Sequence, residues 1–118
     1  MELRMAEMES RFADILWANA PLTTKEMVVL ANKELNWART TTYTVLRKVC
    51  QRGIFEMQNG VVTTLIPKDE YHAIRSEQFV NKDFQGSLPA FIAAFTSRQQ
   101  ISPEDLAELK RLIDAMDN

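Results

Sequence analysis

Cysteine is nearly absent from these 118 residues. Cys50 stands alone, so neither an intramolecular disulfide nor a cysteine-rich zinc site can form. Its position among apolar residues suits a small core side chain better than a sensor thiol. There is no apolar run of membrane-spanning length and no charged-then-apolar start of the secretory kind, which places the expected protein in the cytoplasm without membrane insertion. Gly-rich phosphate loops and metal-ligand clusters are also missing. His72 is the only histidine and falls on an expected helix surface, while Asp69, Glu70 and Glu77 are spaced like a solvated helix face. No enzymatic activity, cofactor or metal is therefore expected.

One further absence is local. From Trp37 to Arg52 there is no Asp or Glu, although the chain holds 14 basic and 16 acidic residues and a formal net charge of -2. The same stretch carries Arg39, Arg47, Lys48 and Arg52. Charge is unevenly spread: residues 1–67 carry eight basic and seven acidic residues, whereas 68–118 carry six and nine. A nucleic-acid partner is thus compatible with the first part of the chain only, since phosphate neutralisation supplies much of such affinity.

What is present has a helical period. Thr42, Val45, Leu46, Val49 and Cys50 form an apolar stripe; Thr40, Thr41, Tyr43, Thr44, Arg47, Lys48 and Gln51 face away from it. Hydroxyls and methyls suit base edges, and cations suit phosphates. Four cations on an exposed helix are also common on an ordinary solvated face, so the flanking elements decide.

Residues 3–19 read as an amphipathic helix with Met5, Met8, Phe12, Ile15, Leu16 and Trp17 inward and Glu2, Arg4, Glu7, Glu9, Arg11 and Asp14 toward water. Pro21 ends it. Thr23 and Glu26 have capping-box spacing, and the helix that follows has Met27, Leu30 and Ala31 as core contacts. Leu35-Asn36-Trp37 makes the turn into the basic helix, completing a helix-turn-helix pattern. Gly53 can close the third helix. Ile54 to Met57 and Val61 to Ile66 then flank Asn59-Gly60, a strong hairpin signal because both turn residues tolerate positive φ.

The expected architecture is mainly α with a small β-hairpin: a winged helix-turn-helix DNA-binding domain at 1–67 and a three-helix dimerisation domain at 68–118. Three helices are expected at 68–83, 87–96 and 103–116, the last capped by Ser102 with Pro103 behind it. Leu88-Pro-Ala-Phe-Ile-Ala-Ala-Phe95 is too apolar for exposure, and about 50 residues bury such a segment poorly by themselves. A second copy of the chain is the expected cover; folding back on the winged helix is the alternative.

The residues also resemble a family. Ile15-Leu-Trp17, Pro21-Leu-Thr with Glu26, Trp37, Thr41, Thr44, Leu46, Arg52-Gly53, Gly60 seven residues before Pro67, Tyr71, Ser76, Phe79, Phe84 with Gly86-Ser87, Ala94-Phe95 and Ser102-Pro-Glu-Asp-Leu-Ala-Glu-Leu109 resemble, in order and spacing, the penicillinase-repressor family of bacterial transcription regulators. The resemblance implies a homodimeric repressor on a dyad-symmetric, double-stranded operator. It places Thr40, Thr41, Tyr43, Thr44 and Arg47 in the major groove, with Arg39 and Lys48 on the backbone; the winged-helix pattern itself puts the wing tip, Gln58 and Asn59, near phosphate or the minor groove. It implies a dimer interface in the C-terminal helices, here assigned to Phe79, Phe84, Leu88, Phe91, Ile92, Phe95, Leu106, Leu109 and Ile113. It further implies release when a membrane sensor protease cuts the Ala94 to Phe95 bond. Val61 replaces a residue often basic in the family, Tyr43 a usual Lys or Gln, and Thr42 a core aliphatic residue. The cysteine motif of the copper-responsive branch is absent. The competing expectation is a winged-helix protein-interaction module or antirepressor without strong DNA binding, suggested by the acidic balance and the uncharged wing.

Overall fold

The protein is described over residues 2–116 by a computed structural model. After an extended strap at 2–6 come α1 (Glu7–Asn19), β1 (Leu22–Thr23), α2 (Thr24–Leu35), α3 (Arg39–Gln51), β2 (Phe55–Gln58), β3 (Val61–Thr64), α4 (Lys68–Phe84), α5 (Leu88–Arg98) and α6 (Pro103–Met116). Two compact units result, Met1–Ser76 and Glu77–Asn118. α4 starts directly after Pro67 and gives Tyr71 and Ile74 to the core of the first unit.

In the first unit α1, α2 and α3 enclose one apolar core and a small sheet closes it. Phe12, Leu16, Met27, Val49, Ile54, Phe55 and Val62 are its largest fully buried apolar side chains. Rings clamp the edges: Phe12 meets Trp37 at 5.4 Å and Trp17 meets Phe55 at 5.5 Å. The Trp17 indole N–H donates to the Ile66 carbonyl at 2.9 Å, so the aromatic contributes both area and a partner for a half-buried backbone group.

Local chemistry sets the element ends. Thr23 and Glu26 form the expected capping box, with the Glu26 backbone N–H donating to Thr23 Oγ1 and the Thr23 N–H donating to Glu26 Oε1. Asn36 takes the left-handed conformation at the end of α2. The hairpin turns on Asn59 and Gly60 at φ 53° and 73°, and Gln58 pairs with Val61. Positive φ at both turn positions is the primed geometry that matches strand twist.

Three expectations need correction. The sheet has three antiparallel strands in the order β1-β3-β2 rather than a hairpin alone, because Leu22 and Thr23, where no strand is expected, pair with Val62 and Val61. α1 starts at Glu7 rather than near residue 3, because the carbonyls of Glu2 and Leu3 accept from the distant side chains of Arg52 and Tyr71. Met8, expected inward, is 50% exposed, while Glu9, expected in water, is 5% exposed and paired with Arg52. The helix period fixes which residues share a face; the neighbours packed on it decide how wide that face is.

The second unit has well-formed helices and little burial. Ser87 accepts from the Ala90 N–H ahead of α5, and Ser102 accepts from the Asp105 N–H ahead of α6. Phe79, Phe84 and Phe91 form a ring cluster at 5.5 to 5.9 Å, yet no residue of α5 or α6 is buried.

Phe12→Ala removes a fully enclosed ring and is expected to cost about 3 to 5 kcal/mol. Met8→Ala, on the same helix, should change stability by less than about 0.5 kcal/mol. Urea midpoints of the two variants check the inward and outward assignments.

Candidate nucleic-acid interface

α3 is fastened from below. Thr42, Val45, Leu46 and Val49 are buried in it, and Cys50 lies at the margin of the same stripe. Thr42 is a hydroxyl in an apolar place, and its solution is local: Oγ1 donates to the Ala38 carbonyl at 2.9 Å, the acceptor its own N–H also uses. No buried polar side-chain atom is left without a partner among the described residues.

The opposite side carries the expected readers. Arg39, Thr40, Thr44, Arg47 and Lys48 are exposed, and Thr41 and Tyr43 are half-buried. The Arg39 guanidinium lies over the Tyr43 ring at 5.4 Å, a cation-π contact that holds both at the start of the helix. The Thr44 hydroxyl donates to the Thr40 carbonyl at 2.9 Å, which leaves its methyl and its acceptor lone pairs facing out. Ala38 caps α3 without a side-chain hydrogen bond, and the first turn holds no acid. Backbone donors and the positive end of the helix dipole therefore remain available to an anion.

Two hollows flank this face. One, of about 490 Å³, is bordered by Thr40, Thr41, Thr44 and Lys48 on α3 and by Glu7 and Met8 at the start of α1. The other, of about 240 Å³, lies among Tyr43, Leu46, Arg47, Cys50 and Met57, so the first wing strand reaches the reading helix through Met57. Sequence reasoning missed Glu7, Met8 and Met57 as neighbours of the site. Met57 follows the glutamate of a β run ending in a turn, and its outward position can be read from strand alternation; the approach of α1 to α3 cannot.

The wing tip is plain. Gln58 and Asn59 are exposed, and the Gln58 amide donates to Glu56 Oε1 at 3.1 Å, so its nearest charged partner is acidic. Arg52, counted with the basic helix, is engaged elsewhere. Its Nε and Nη2 donate to Glu9 Oε2 and Oε1 at 2.6 and 3.1 Å, and Nη1 donates to the Glu2 carbonyl at 3.2 Å. Three cations thus remain on the reading face.

Other candidate chemistry is structural. Burial first, and the Glu56 charge second, push the Cys50 thiol up from its ordinary value, which keeps it protonated. Ser76 stands one turn beyond His72, but its hydroxyl donates to the His72 carbonyl at 2.8 Å and not to the imidazole. No group of three or more His, Cys, Asp or Glu side chains could hold a metal among the described residues, and no described helix is long and apolar enough to cross a membrane.

In the second unit the proposed interface residues share exposed ground. Phe91, Ile92, Phe95, Leu109 and Leu112 line an apolar hollow of about 370 Å³ between α5 and α6. Leu88, Phe95 and Ile113 are 57%, 44% and 62% exposed. The Ala94 to Phe95 bond lies on the exposed surface of α5, inside its helical span.

With this geometry in view, comparison with known proteins is decisive. The penicillinase-repressor family model matches residues 5–115. The chain belongs to that family. The penicillinase repressor of Bacillus licheniformis is 23% identical over 119 residues, covering 98% of this chain and 93% of that protein. The methicillin resistance regulatory protein MecI of Staphylococcus aureus (strain Mu50 / ATCC 700699) is 19% identical over 117 residues, covering 96% and 94%. Membership places the chain among transcriptional repressors and not among enzymes, and the winged helix-turn-helix expected from the resemblance is the fold observed.

One electrostatic consequence is testable on the protein alone. The hydrogen bond from Arg52 holds the Glu9 carboxyl below the usual carboxylate range. Because the folded pKa is depressed, the stabilisation is fully present above the unfolded value of about 4.3 and is lost as pH falls through the folded pKa. Glu9→Gln should therefore lower the urea midpoint at neutral pH, with a gap from the parent that narrows in acid; a gap independent of pH would mean that Glu9 contributes by packing alone.

Proposed function

We propose that the chain is a homodimeric repressor that reads a dyad-symmetric, double-stranded operator with α3 of each copy in the major groove. The observation that carries this reading is the outward face of α3, where Arg39, Arg47 and Lys48 stand with Thr40, Thr41, Tyr43 and Thr44 and with no acid on the helix. Arg47 and Tyr43 border the hollow that faces the wing, and Thr40, Thr41, Thr44 and Lys48 border the one that faces α1. Both sides of the helix therefore offer concave ground to the two walls of a groove. Arg39 and Lys48 serve the phosphates, while Gln58 and Asn59 approach the backbone without a charge of their own.

Pairing is supported by the second unit. Phe79, Leu88, Phe95, Leu106 and Ile113 are all exposed in the single chain, alongside the half-buried Phe84, Phe91, Ile92 and Leu109. An apolar surface of this kind is the mark of an interface, and a self-complementary one gives a two-fold dimer whose symmetry the operator mirrors. Release follows when a sensor protease in the membrane cuts between Ala94 and Phe95. That bond is exposed at its side chains but helical, so cleavage requires local opening of α5.

A second reading, a protein-interaction module, has one observation in its favour: the wing tip carries no cation and Gln58 is turned to Glu56. An electrophoretic shift of promoter DNA at two salt concentrations separates the two. A groove reader loses affinity steeply as salt rises, whereas failure to bind DNA at low salt would leave the interaction module. Arg47→Ala is expected to weaken operator binding by about 1 to 3 kcal/mol with the dimer intact; unchanged affinity would remove Arg47 from the readers. Phe91→Asp places a charge in the apolar hollow and should give a monomer in sedimentation, and a persistent dimer would put the interface elsewhere.

A further inference from the structure

The N-terminal strap has no helix of its own, yet its two consecutive carbonyls are each taken by a side chain from far along the chain. Arg52, at the end of α3, donates to the Glu2 carbonyl at 3.2 Å, and the Tyr71 hydroxyl, in the first turns of α4, donates to the Leu3 carbonyl at 3.0 Å. Leu3 and Met5 are buried in the same core. Arg52 also holds both carboxylate oxygens of Glu9 on α1. This pair has a buried carboxylate, whereas the pairs of Lys68 with Asp14 and of Arg111 with Glu108 lie in solvent.

At the opposite end of α3, Ala38 gives its cap no side-chain bond, and the turn before it is held by neutral contacts: the Asn32 amide donates to the Trp37 carbonyl at 3.2 Å and the Trp37 ring lies on Phe12. Apolar contacts along the middle of a helix resist separation but are non-directional and oppose rocking weakly. A forked, bidentate guanidinium contact is directional. We propose that Arg52 and Glu9 are positioning residues for DNA reading: their pair, closed over the strap, sets the pose of α3 on α1, so that Thr40, Thr41 and Arg47 reach base edges in one register. In this role Arg52 acts through Glu9 and the Glu2 carbonyl, to which its Nε, Nη1 and Nη2 donate, and not as a ligand of DNA. The proposal rests on α3 being the groove reader.

The test compares two duplexes of equal length, one enriched from a randomised pool by the parent protein and one unrelated. Affinities are measured across a salt series for the parent, Arg52→Met and Glu9→Gln, with thermal unfolding run in parallel. Both variants are expected to narrow the ratio of affinities for the two duplexes about tenfold and to leave the salt slope on the unrelated duplex unchanged. Glu9→Gln sharpens the test, because removing a negative charge beside Lys48 would by charge alone tighten both complexes. If that variant binds both duplexes more tightly at an unchanged ratio, the pair acts through charge and the proposal fails. A salt slope smaller by about one in Arg52→Met, with equal loss on both duplexes, would make Arg52 a phosphate ligand instead. Lowered unfolding temperature with both affinities unchanged would reduce the pair to a stabilising contact. If Arg52→Met does not fold, Glu9→Gln alone decides. A parent protein that enriches no sequence from the pool would overturn the groove-reading proposal itself, an outcome separate from all of these.

Discussion

The burial of one stripe of α3 governs the first unit. Thr42, Val45, Leu46 and Val49 can enter the core only if the other side of the helix stays out, and that other side holds every cation of the segment except Arg52. Packing and exposure are therefore two results of a single period of 3.6. Thr42 shows how strictly the stripe is kept: a hydroxyl is tolerated there because the Ala38 carbonyl lies within 2.9 Å on the same helix, so no bond is sought across the core. A longer polar side chain at that fully buried position could not rely on the same local carbonyl.

The electrostatics follow the same division. A chain with more acid than base can still present a cationic face, because charges in water are screened beyond about 10 Å and the local arrangement decides what a phosphate meets. The fold refines the local arrangement beyond what charge counting gives. Arg52 is drawn into the Glu9 pair and Gln58 is turned to Glu56, whereas Arg39 is laid on Tyr43 and stays exposed. The exposed cationic face is thus narrower than the basic segment, and its cations all lie on α3.

Features set by neighbours in sequence were legible from the start. Thr23 with Glu26, Asn59 with Gly60, Gly53 after α3, and Ser102 before Pro103 all act within four residues, and each does in the structure what its spacing implied. The buried stripe of α3 was legible for the same reason. What escaped depends on partners distant in sequence. Nothing near residues 2–6 says that Tyr71 will take the Leu3 carbonyl, so a helical period was extended through a strap that is not helical. Glu9 reads as a solvent residue until Arg52 arrives beside it, and Leu22-Thr23 gives no strand signal until β3 is there to pair with it. Tertiary contacts override local preference where the segment is short.

The two units also differ in what they ask of a second chain. The first has a closed core, and no buried polar side-chain atom lacks a partner among the described residues. The second carries its rings on the outside: Phe79, Phe84, Phe91 and Phe95 contact one another at 5.5 to 6.4 Å, which organises the surface without covering it. Pre-assembled rings lose little further freedom on association, so an interface built on them forms at low entropic cost. In the proposed dimer, pairing would also change the arithmetic of DNA binding, because a second half-site would be met at the effective concentration set by the dimer rather than by the solution. Under that proposal a cut in α5 would act on this term alone, because the core of the first unit is closed without α5, and the linkage between two weak contacts would be lost.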